Sequence, residues 1–312
     1  MNKKRFKNIL VVLGGTSGER AVSLDSGKAC VRALKKKGYI VATFDPKFKN
    51  LNLINKKKVD AIFNCLHGKD GEDGVAQSYF EYLKIPYTHS GVISSYNAMN
   101  KIISKKIFIN NKIKTPKFFT LTKSIFNSQN LKKKRIINKI KFPIIAKPIN
   151  EGSSLGVILC DNHDLLYKKT KVLFRKYDQL IFEEYIGGQE IQVAVINGIP
   201  LGAIELIPKR SFYDYKAKYT KIAKTKHIMP ARLNKSKNDE ILKIAKKTHH
   251  VLGCKGVTRS DFKYYNKKFY LLEINTQPGM TNLSLVPEIA NYKGLNFDNL
   301  VEKILLDASI NR

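Results

Sequence analysis

The chain has 312 residues, and its 57 Lys and Arg outnumber its 25 Asp and Glu, which gives a formal net charge of +32. This length exceeds one ordinary hydrophobic core, so we expect two or three domains. The charge raises the question of nucleic acid, but the lysines are spread along the chain and no stacking aromatic residues are interleaved with them, so we expect no nucleic-acid partner.

The four cysteines, Cys30, Cys65, Cys160 and Cys254, are widely separated and form no CxxC pair, which is typical of free thiols in a reducing cytoplasm. The apolar run at residues 9–13 is too short for the core of a signal peptide and passes directly into glycines. No stretch approaches the roughly 18 apolar residues of a membrane helix. We therefore expect a cytoplasmic protein without a membrane partner.

The first third of the chain alternates strand and helix patterns. Apolar runs of the β type occupy residues 8–13, 40–44 and 61–66, and a helical pattern occupies residues 23–37. Such alternation predicts a parallel sheet covered by helices, as in Rossmann-like domains. We assign residues 1–98 to this domain.

Two glycine-rich turns follow strands of this domain. GGTSGERAVSL follows the first strand, and LHGKDGEDG follows the strand that ends at Leu66. Turns at such strand ends can present backbone donors to a ligand. Glu19 and His67, one on each turn, favour a functional interpretation over the alternative that the glycines only permit a tight reversal.

The middle of the chain predicts a small second domain over residues 99–185. A helical pattern begins near residue 97, and apolar residues at helical spacing continue in the lysine-rich segment that ends at Lys141. A strand then ends in Lys147 and the loop NEGSSLG, and a lysine before small residues is typical of a phosphate clamp. The loop is not a Walker A sequence, so another nucleotide-binding fold is implied. The alternative is a plain hairpin turn with an exposed Lys147.

A hinge is predicted where the second domain ends. The run LIFEEYIGGQEIQVAVING places a strand pattern on either side of two adjacent glycines. We therefore assign residues 186–312 to a third domain.

Residues 259–281, RSDFKYYNKKFYLLEINTQPGMT, predict a β-hairpin with a polar tip. If the turn centres on Lys267, Asp261 lies directly across from Glu273, and Glu273 shares a face with Asn275. Two carboxylates and an amide suit Mg²⁺ better than zinc, which prefers His and Cys. The predicted substrate is therefore a nucleoside triphosphate.

The alternative is a hairpin whose charges are merely solvated. Glu273 argues against it, because it follows the apolar run at residues 269–272. A carboxylate at that depth needs a cation or a donor to remain ionised.

Nine stretches of the chain, taken in order, resemble the D-alanine:D-alanine ligase family of the ATP-grasp superfamily. They are GGTSGERAVSL, HGKDGEDGVAQ, IPYTHSGV, NKIISK, AKPINEGSSLG, FEEYIGGQE, FYDYKAKY, RSDF and LLEINTQPGMT. The resemblance implies an α/β protein, α+β overall, with an ATP-grasp fold and an N-terminal Rossmann-like parallel-sheet domain. It also implies an enzyme that joins two D-alanines through an acyl phosphate, using ATP, for the peptidoglycan precursor.

The resemblance implies roles for residues that contact ATP and metal. In the family, lysines contact the phosphates, a loop serine covers them, one glutamate accepts from the adenine amino group and another binds the ribose. The matching residues are Lys101, Lys147, Lys218, Ser154, Glu183 and Glu190. Asp261, Glu273 and Asn275 match the ligands of two Mg²⁺ ions, with Mn²⁺ as an alternative ion.

Other matching residues concern the amino acids and the bond that forms. The family's oxyanion is held by an arginine and a backbone N–H, which match Arg259 and Gly279. Glu19 matches the acceptor for the first ammonium group. The second-substrate site is matched by His67, Ser284 and Leu285.

The segment PKRSFYDYKAKYT resembles the family's lid, in which Tyr219 would contact Glu19 and Ser153. A tyrosine at this position accompanies an amine acceptor, so the resemblance favours D-alanine over D-lactate; an acceptor of D-serine or D-lactate is the alternative. Val257 and Thr258 depart from the aromatic residue and glycine common in the family. The resemblance also implies a homodimer.

Overall fold

The computed structural model describes residues 4–128, 140–208, 225–281 and 283–312. The lid residues Lys218 and Tyr219 lie outside these ranges. So do the apolar positions Leu131, Ile136 and Ile137 of the lysine-rich segment.

The first part of the chain forms a parallel sheet, as the sequence predicts. Its three strands are ordered β2-β1-β3, with β1 central. The central strand is almost entirely buried because apolar side chains fill both of its faces. The strands are β1 (Asn8–Val12), β2 (Ile40–Phe44) and β3 (Ala61–Asn64), and the helices that follow them are α1 (Arg20–Lys36) and α2 (Val75–Leu83).

The second sheet is antiparallel and belongs to the middle of the chain. Its order is β4-β7-β5-β6, and Phe119 and Phe182 stack between neighbouring strands with ring centroids 4.9 Å apart. Its elements are α3 (Val92–Met99), α4 (Lys101–Asn110), β4 (Phe118–Thr122), α5 (Lys123–Ser128), β5 (Ile144–Pro148), β6 (Ile158–Cys160), α6 (His163–Leu173) and β7 (Gln179–Glu184).

The third sheet is antiparallel, with the order β10-β9-β8-β11-β12. Its elements are β8 (Gln189–Ile196), β9 (Ile199–Ile207), β10 (Lys226–Ile228), α7 (Lys235–Val251), β11 (Val257–Tyr265), β12 (Lys268–Asn275), α8 (Leu285–Tyr292) and α9 (Phe297–Leu306). Across the described ranges, every helix is too short or too polar to cross a bilayer. The domain boundaries after residues 98 and 185 stay a prediction.

One apolar core joins the first sheet to the third. Side chains of β1 and α1 pack with those of β8, β9, α8 and α9 in a single buried cluster. At the edge of this cluster, Asn64 at the end of β3 donates from its side-chain amide to Gln277 Oε1 at 2.8 Å. The Gln277 amide donates in turn to the Leu66 carbonyl. The loop after β12 is thereby fixed against the carboxyl edge of the parallel sheet.

The β11–β12 hairpin places Asp261 opposite Glu273, as predicted, but by a different route. The turn centres between Asn266 and Lys267, both with positive φ, instead of on Lys267. Regular pairing from that turn would put Leu272 opposite Asp261. A β-bulge between Asp261 and Phe262 shifts the register by one residue. The bulge therefore brings the two carboxylates to one face, since a one-residue shift exchanges the faces of a strand.

Candidate active site

Two cavities meet beside the β11–β12 hairpin. The first lies between the second and third sheets, and the second lies between the hairpin and the loops that follow β1 and β5. Lys101, Glu151 and Glu273 line both cavities. A ligand in the first cavity can therefore reach a ligand in the second at these three residues.

The lining of the first cavity contains both apolar and charged side chains. Its apolar wall is made by Ile145, Val157, Tyr185, Ile186 and Leu272. The polar part of the lining contains seven residues that the sequence assigned to ATP or metal: Lys101, Lys147, Ser154, Glu183, Glu190, Asp261 and Glu273. Apolar walls together with lysines and carboxylates suit a planar base joined to a polyanion.

The hairpin supplies a linked pair of charged side chains. Arg259 and Asp261 share one face of β11 because they are two residues apart. The guanidinium donates from Nε to Asp261 Oδ1 at 2.7 Å and from Nη2 to Oδ2 at 2.9 Å. This two-point contact fixes the plane of the guanidinium. On β12, Asn275 Oδ1 accepts from the backbone N–H of Gln277 at 2.7 Å.

The donor set formed by Asp261, Glu273 and Asn275 fits a hard divalent cation, since all its ligand atoms are oxygens. Within the described part of the chain, no three Asp, Glu, His or Cys side chains are grouped closely enough to hold a metal. At this hairpin, the Asn275 amide oxygen would add a third oxygen to the two carboxylates. Positive groups already face the carboxylates, with Lys101 Nζ 3.9 Å from Glu273 Oε2.

Lys101 is positioned by the start of α4. Asn100 caps this helix, because its side-chain oxygen accepts from the N–H groups of Ile102 and Ile103. The ammonium group of Lys101 donates to the Glu151 carbonyl at 2.5 Å. The cap therefore directs this lysine to the junction of the two cavities.

Glu183, predicted to accept from adenine, is held by two lysines. Its Oε1 lies 3.0 Å from Lys147 Nζ and 3.3 Å from Lys105 Nζ, and neither approach has hydrogen-bond geometry. Burial alone would raise the pKa of this carboxyl, but the two ammonium groups outweigh it and lower the pKa below its ordinary value. Glu183 is therefore ionised at neutral pH, and its role toward adenine stays a prediction.

Glu190, predicted to bind the ribose, pairs with Lys263. The two residues are register partners on β8 and β11, and Lys263 Nζ lies 3.1 Å from Glu190 Oε2. Sequence reasoning missed Lys263, which also lines the first cavity. The signal was available, because Lys263 follows Asp261 by two residues and so shares its face of the strand.

The second cavity is small and polar, and Glu19 and Ser153 meet in its wall. Ser153 Oγ donates to Glu19 Oε2 at 2.6 Å. The predicted contact of Tyr219 with these two residues lies outside the described ranges and stays a prediction. A Cβ on Gly152 would lie only 2.5 Å from Glu19 Oε1. The absence of a side chain at Gly152 therefore leaves the space that the carboxylate occupies. Arg259 and Asn275 form the opposite part of the wall.

Two family models match the chain, one described as D-ala D-ala ligase N-terminus over residues 41–90 and one as D-ala D-ala ligase C-terminus over residues 107–306. A D-alanine–D-alanine ligase of Pelagibacter ubique is 56% identical over 98% of this chain and 99% of the relative. One of Pelobacter propionicus is 39% identical over 99% of this chain and 98% of the relative. A solved D-alanine–D-alanine ligase of Bacillus anthracis, described as complexed with ATP, has a TM-score of 0.83 at 30% identity, covering 96% of this chain and 97% of that one.

The chain belongs to the D-alanine–D-alanine ligase family. The predicted α/β class and ATP-grasp fold are thereby confirmed. Members are ATP-dependent ligases, so ATP is implied as a substrate and a divalent metal as its companion.

Some residues matched to the family's second-substrate site or to its oxyanion donor do not line either cavity within the described part of the chain. They are His67, Gly279, Ser284 and Leu285. Leu285 packs into the apolar core, and Ser284 Oγ accepts from the Thr281 N–H at 2.9 Å. His67 faces a separate crevice at the ends of β1 and β3, and its Nε2 lies 3.3 Å from Ser26 Oγ.

Ser26 connects His67 to the loop that carries Gly279. Its Oγ accepts from the Met280 N–H at 3.0 Å, so His67, Ser26 and this loop form one hydrogen-bonded chain. His67 Nδ1 also lies 3.8 Å from Oε2 of Glu72, which lines the second cavity.

Sequence reasoning also missed two glutamates that line the cavities. Glu72 lines the second cavity, and its buried Oε2 accepts no hydrogen bond. Glu151 lines both cavities, and its Oε1 accepts from the Tyr177 hydroxyl at 3.0 Å. Glu72 lies in the motif HGKDGEDG and Glu151 lies in the motif NEGSSLG, both of which are predicted ligand loops. An acidic residue within a glycine-rich ligand loop was the available signal.

Proposed function

We propose that this chain joins two D-alanine molecules to D-alanyl-D-alanine, the dipeptide of the peptidoglycan precursor, while ATP is converted to ADP and phosphate. The observation that carries the proposal is the meeting of the two cavities at Lys101, Glu151 and Glu273. The first cavity suits a nucleotide. The second is polar and small, which suits amino acids.

In the first step, the carboxylate of one D-alanine attacks the γ-phosphorus of ATP, and ADP leaves. Phosphoryl transfer depends on alignment and on neutralising the phosphate charge. We assign this role to Lys101 and Lys147, which line the first cavity, with Lys218 of the lid as a third lysine. We assign two Mg²⁺ ions, or Mn²⁺ in their place, to Asp261, Glu273 and Asn275, where such ions would neutralise phosphate oxygens.

In the second step, the amine of the other D-alanine attacks the acyl phosphate carbonyl. The carbonyl oxygen gains negative charge, and the tetrahedral intermediate collapses to the amide and inorganic phosphate. Arg259 is the residue suited to hold that oxygen, because its guanidinium stays protonated and Asp261 fixes its orientation. The Gly279 N–H is the second donor that we assign to this oxygen.

Substrate placement is divided between the two walls of the second cavity. We assign the ammonium of the first D-alanine to the Glu19 carboxylate, which Ser153 holds. The second D-alanine is assigned to the side supported by His67, Ser284 and Leu285. Tyr219 of the lid would complete the contact with Glu19 and Ser153, and a closed lid keeps water from the acyl phosphate. The homodimer and the cytoplasmic location stay predictions.

The test is ADP release in the presence of ATP and Mg²⁺, with D-alanine, L-alanine, or D-alanine plus D-lactate, and with the product identified by mass. We expect D-alanine-dependent ADP release that yields only the dipeptide, with L-alanine inert. No turnover with D-alanine, or a depsipeptide as the main product, would refute the substrate assignment. Replacement of Mg²⁺ by Mn²⁺ in the same assay distinguishes the two ions.

A further inference from the structure

Lys105 is a fully buried lysine that lines neither cavity. It lies on α4 one turn after Lys101, so the two side chains share a helix face. Its side chain is 0% exposed, and its ammonium group donates to the Thr115 hydroxyl at 2.6 Å. A lysine is rarely found at such depth without a partner, because burial penalises its charge.

The partner of Lys105 is also the partner of a cavity residue. Glu183 Oε1 lies between Lys105 Nζ at 3.3 Å and Lys147 Nζ at 3.0 Å. Two ammonium groups therefore share one carboxylate, which leaves this trio with a net positive charge. Of the two lysines, Lys147 lines the first cavity and Lys105 does not.

Burial makes the charged form of Lys105 less stable. Burial lowers the pKa of Lys105 to about 8, with Glu183 opposing and Lys147 adding to that shift. An apolar side chain at this position would pack without such a penalty. The presence of a lysine at this position is therefore explained by the effect of its charge on Glu183 and Lys147.

We propose that Lys105 is a positioning residue for ATP. By occupying Glu183, it prevents a closed one-to-one pair between Glu183 and Lys147, so the Lys147 ammonium is available to the phosphates. The proposal rests on the nucleotide assignment of the first cavity but not on the identity of the amino acids.

The first test is Lys105→Met, which keeps the length and apolar stem of the side chain. In this variant Glu183 pairs with Lys147 alone, and we expect the KM for ATP to rise roughly tenfold, the size of one lost charge contact. The kcat at saturating ATP and the KM for D-alanine should stay within about twofold of the wild type. The matched control is Lys106→Met, which removes an exposed charge from the next position of α4.

A double variant separates positioning from packing. Glu183→Gln keeps an oxygen acceptor and removes the charge that holds Lys147, so Lys105→Met/Glu183→Gln should bind ATP more tightly than Lys105→Met alone. A purely structural role predicts no such rescue. Equal ATP affinity in Lys105→Met and the double variant would overturn the proposal.

Direct binding supplies a readout that does not need turnover. Calorimetry with ATP and with adenosine, which lacks phosphates, should show weaker ATP binding in Lys105→Met and unchanged adenosine binding. If adenosine binding falls by the same factor, the proposal is wrong. A wild type that binds ATP but ligates no D-alanine would refute the substrate assignment while leaving this test intact.

If Lys105→Met alone does not fold, the comparison moves to the Glu183→Gln background. With no carboxylate to share, removal of Lys105 should change ATP affinity by less than about twofold. A tenfold loss in that background would overturn the proposal as well.

Discussion

Arg259 and Asp261 are joined by two hydrogen bonds, of 2.7 and 2.9 Å, across one face of β11. The pair links two parts of the proposed chemistry, because Asp261 is assigned to the metal and Arg259 to the oxyanion. A substitution of one side chain therefore removes hydrogen bonds that orient the other. One residue that we assign to phosphoryl transfer and one that we assign to amide formation therefore lie on the same strand.

Asp261→Asn should lower kcat by at least about 100-fold while leaving the fold intact. The amide keeps one acceptor oxygen but loses the charge needed by the metal, and it cannot accept both guanidinium hydrogen bonds. Steady-state ADP release and circular dichroism measure the two effects. The matched control is Ser260→Ala on the opposite face of β11, where the buried hydroxyl has no hydrogen-bond partner. Wild-type turnover in Asp261→Asn would remove the metal assignment.

Gly152→Ala should raise the KM for D-alanine by roughly tenfold and leave the KM for ATP near the wild-type value. The added methyl group would lie 2.5 Å from Glu19 Oε1, so the carboxylate must move away from Ser153. Initial rates against each substrate measure the split. Gly187→Ala is the control, because the nearest atom to its added Cβ is 4.0 Å away. An unchanged KM for D-alanine would argue against the substrate role of Glu19.

Gln277→Ala should lower the free energy of unfolding by about 2 kcal/mol, because the Asn64 amide and the Leu66 carbonyl lose a buried partner. Urea denaturation measures the change. Gln277→Glu keeps the acceptor for Asn64 and removes the donor to Leu66, so it separates the two contacts. If Gln277→Ala is as stable as the wild type, the loop after β12 is held by other contacts.

The hairpin shows how far sequence reasoning reaches. Alternation along β12 was sufficient to predict that Glu273 and Asn275 share one face, because side-chain direction follows from strand geometry alone. The bulge that completes the register was not foreseen. It interrupts the pairing of β11 with β12, whereas β11 pairs with β8 without a shift. The prediction was right because a misplaced turn centre and an unforeseen bulge compensate for each other.

The sequence does not predict which charged residues are buried. Lys105 stands in the quoted motif NKIISK, but its helical spacing does not tell a solvated lysine from one placed behind Glu183. That difference comes from the packing of α4 near β7, two elements distant in sequence. The support of the loop after β12 by Asn64 is long-range in the same way.

The last prediction concerns the stability of the fold at acidic pH. It rests on the buried His249, which lies beside Thr258, a residue at which the chain departs from its family. Thr258 Oγ1 lies 2.9 Å from Nδ1 of the buried His249 ring. Burial lowers the pKa of His249 from 6.5 to about 4, with Asp307 opposing this shift and Lys255 and His250 adding to it. Between those values the unfolded chain binds a proton that the folded protein does not.

His249 should therefore stabilise the fold fully above pH 6.5, and that contribution should be lost as the pH falls from 6.5 toward 4, by about 3 kcal/mol in total. We expect His249→Gln to show a shallower loss of unfolding free energy than the wild type between urea titrations at pH 7.5 and pH 4.5. Buried His89, whose pKa is lowered to about 3, adds a similar slope to both proteins, so the difference between them is the measure. Equal slopes for His249→Gln and the wild type would mean that His249 is already protonated in the folded protein at pH 4.5.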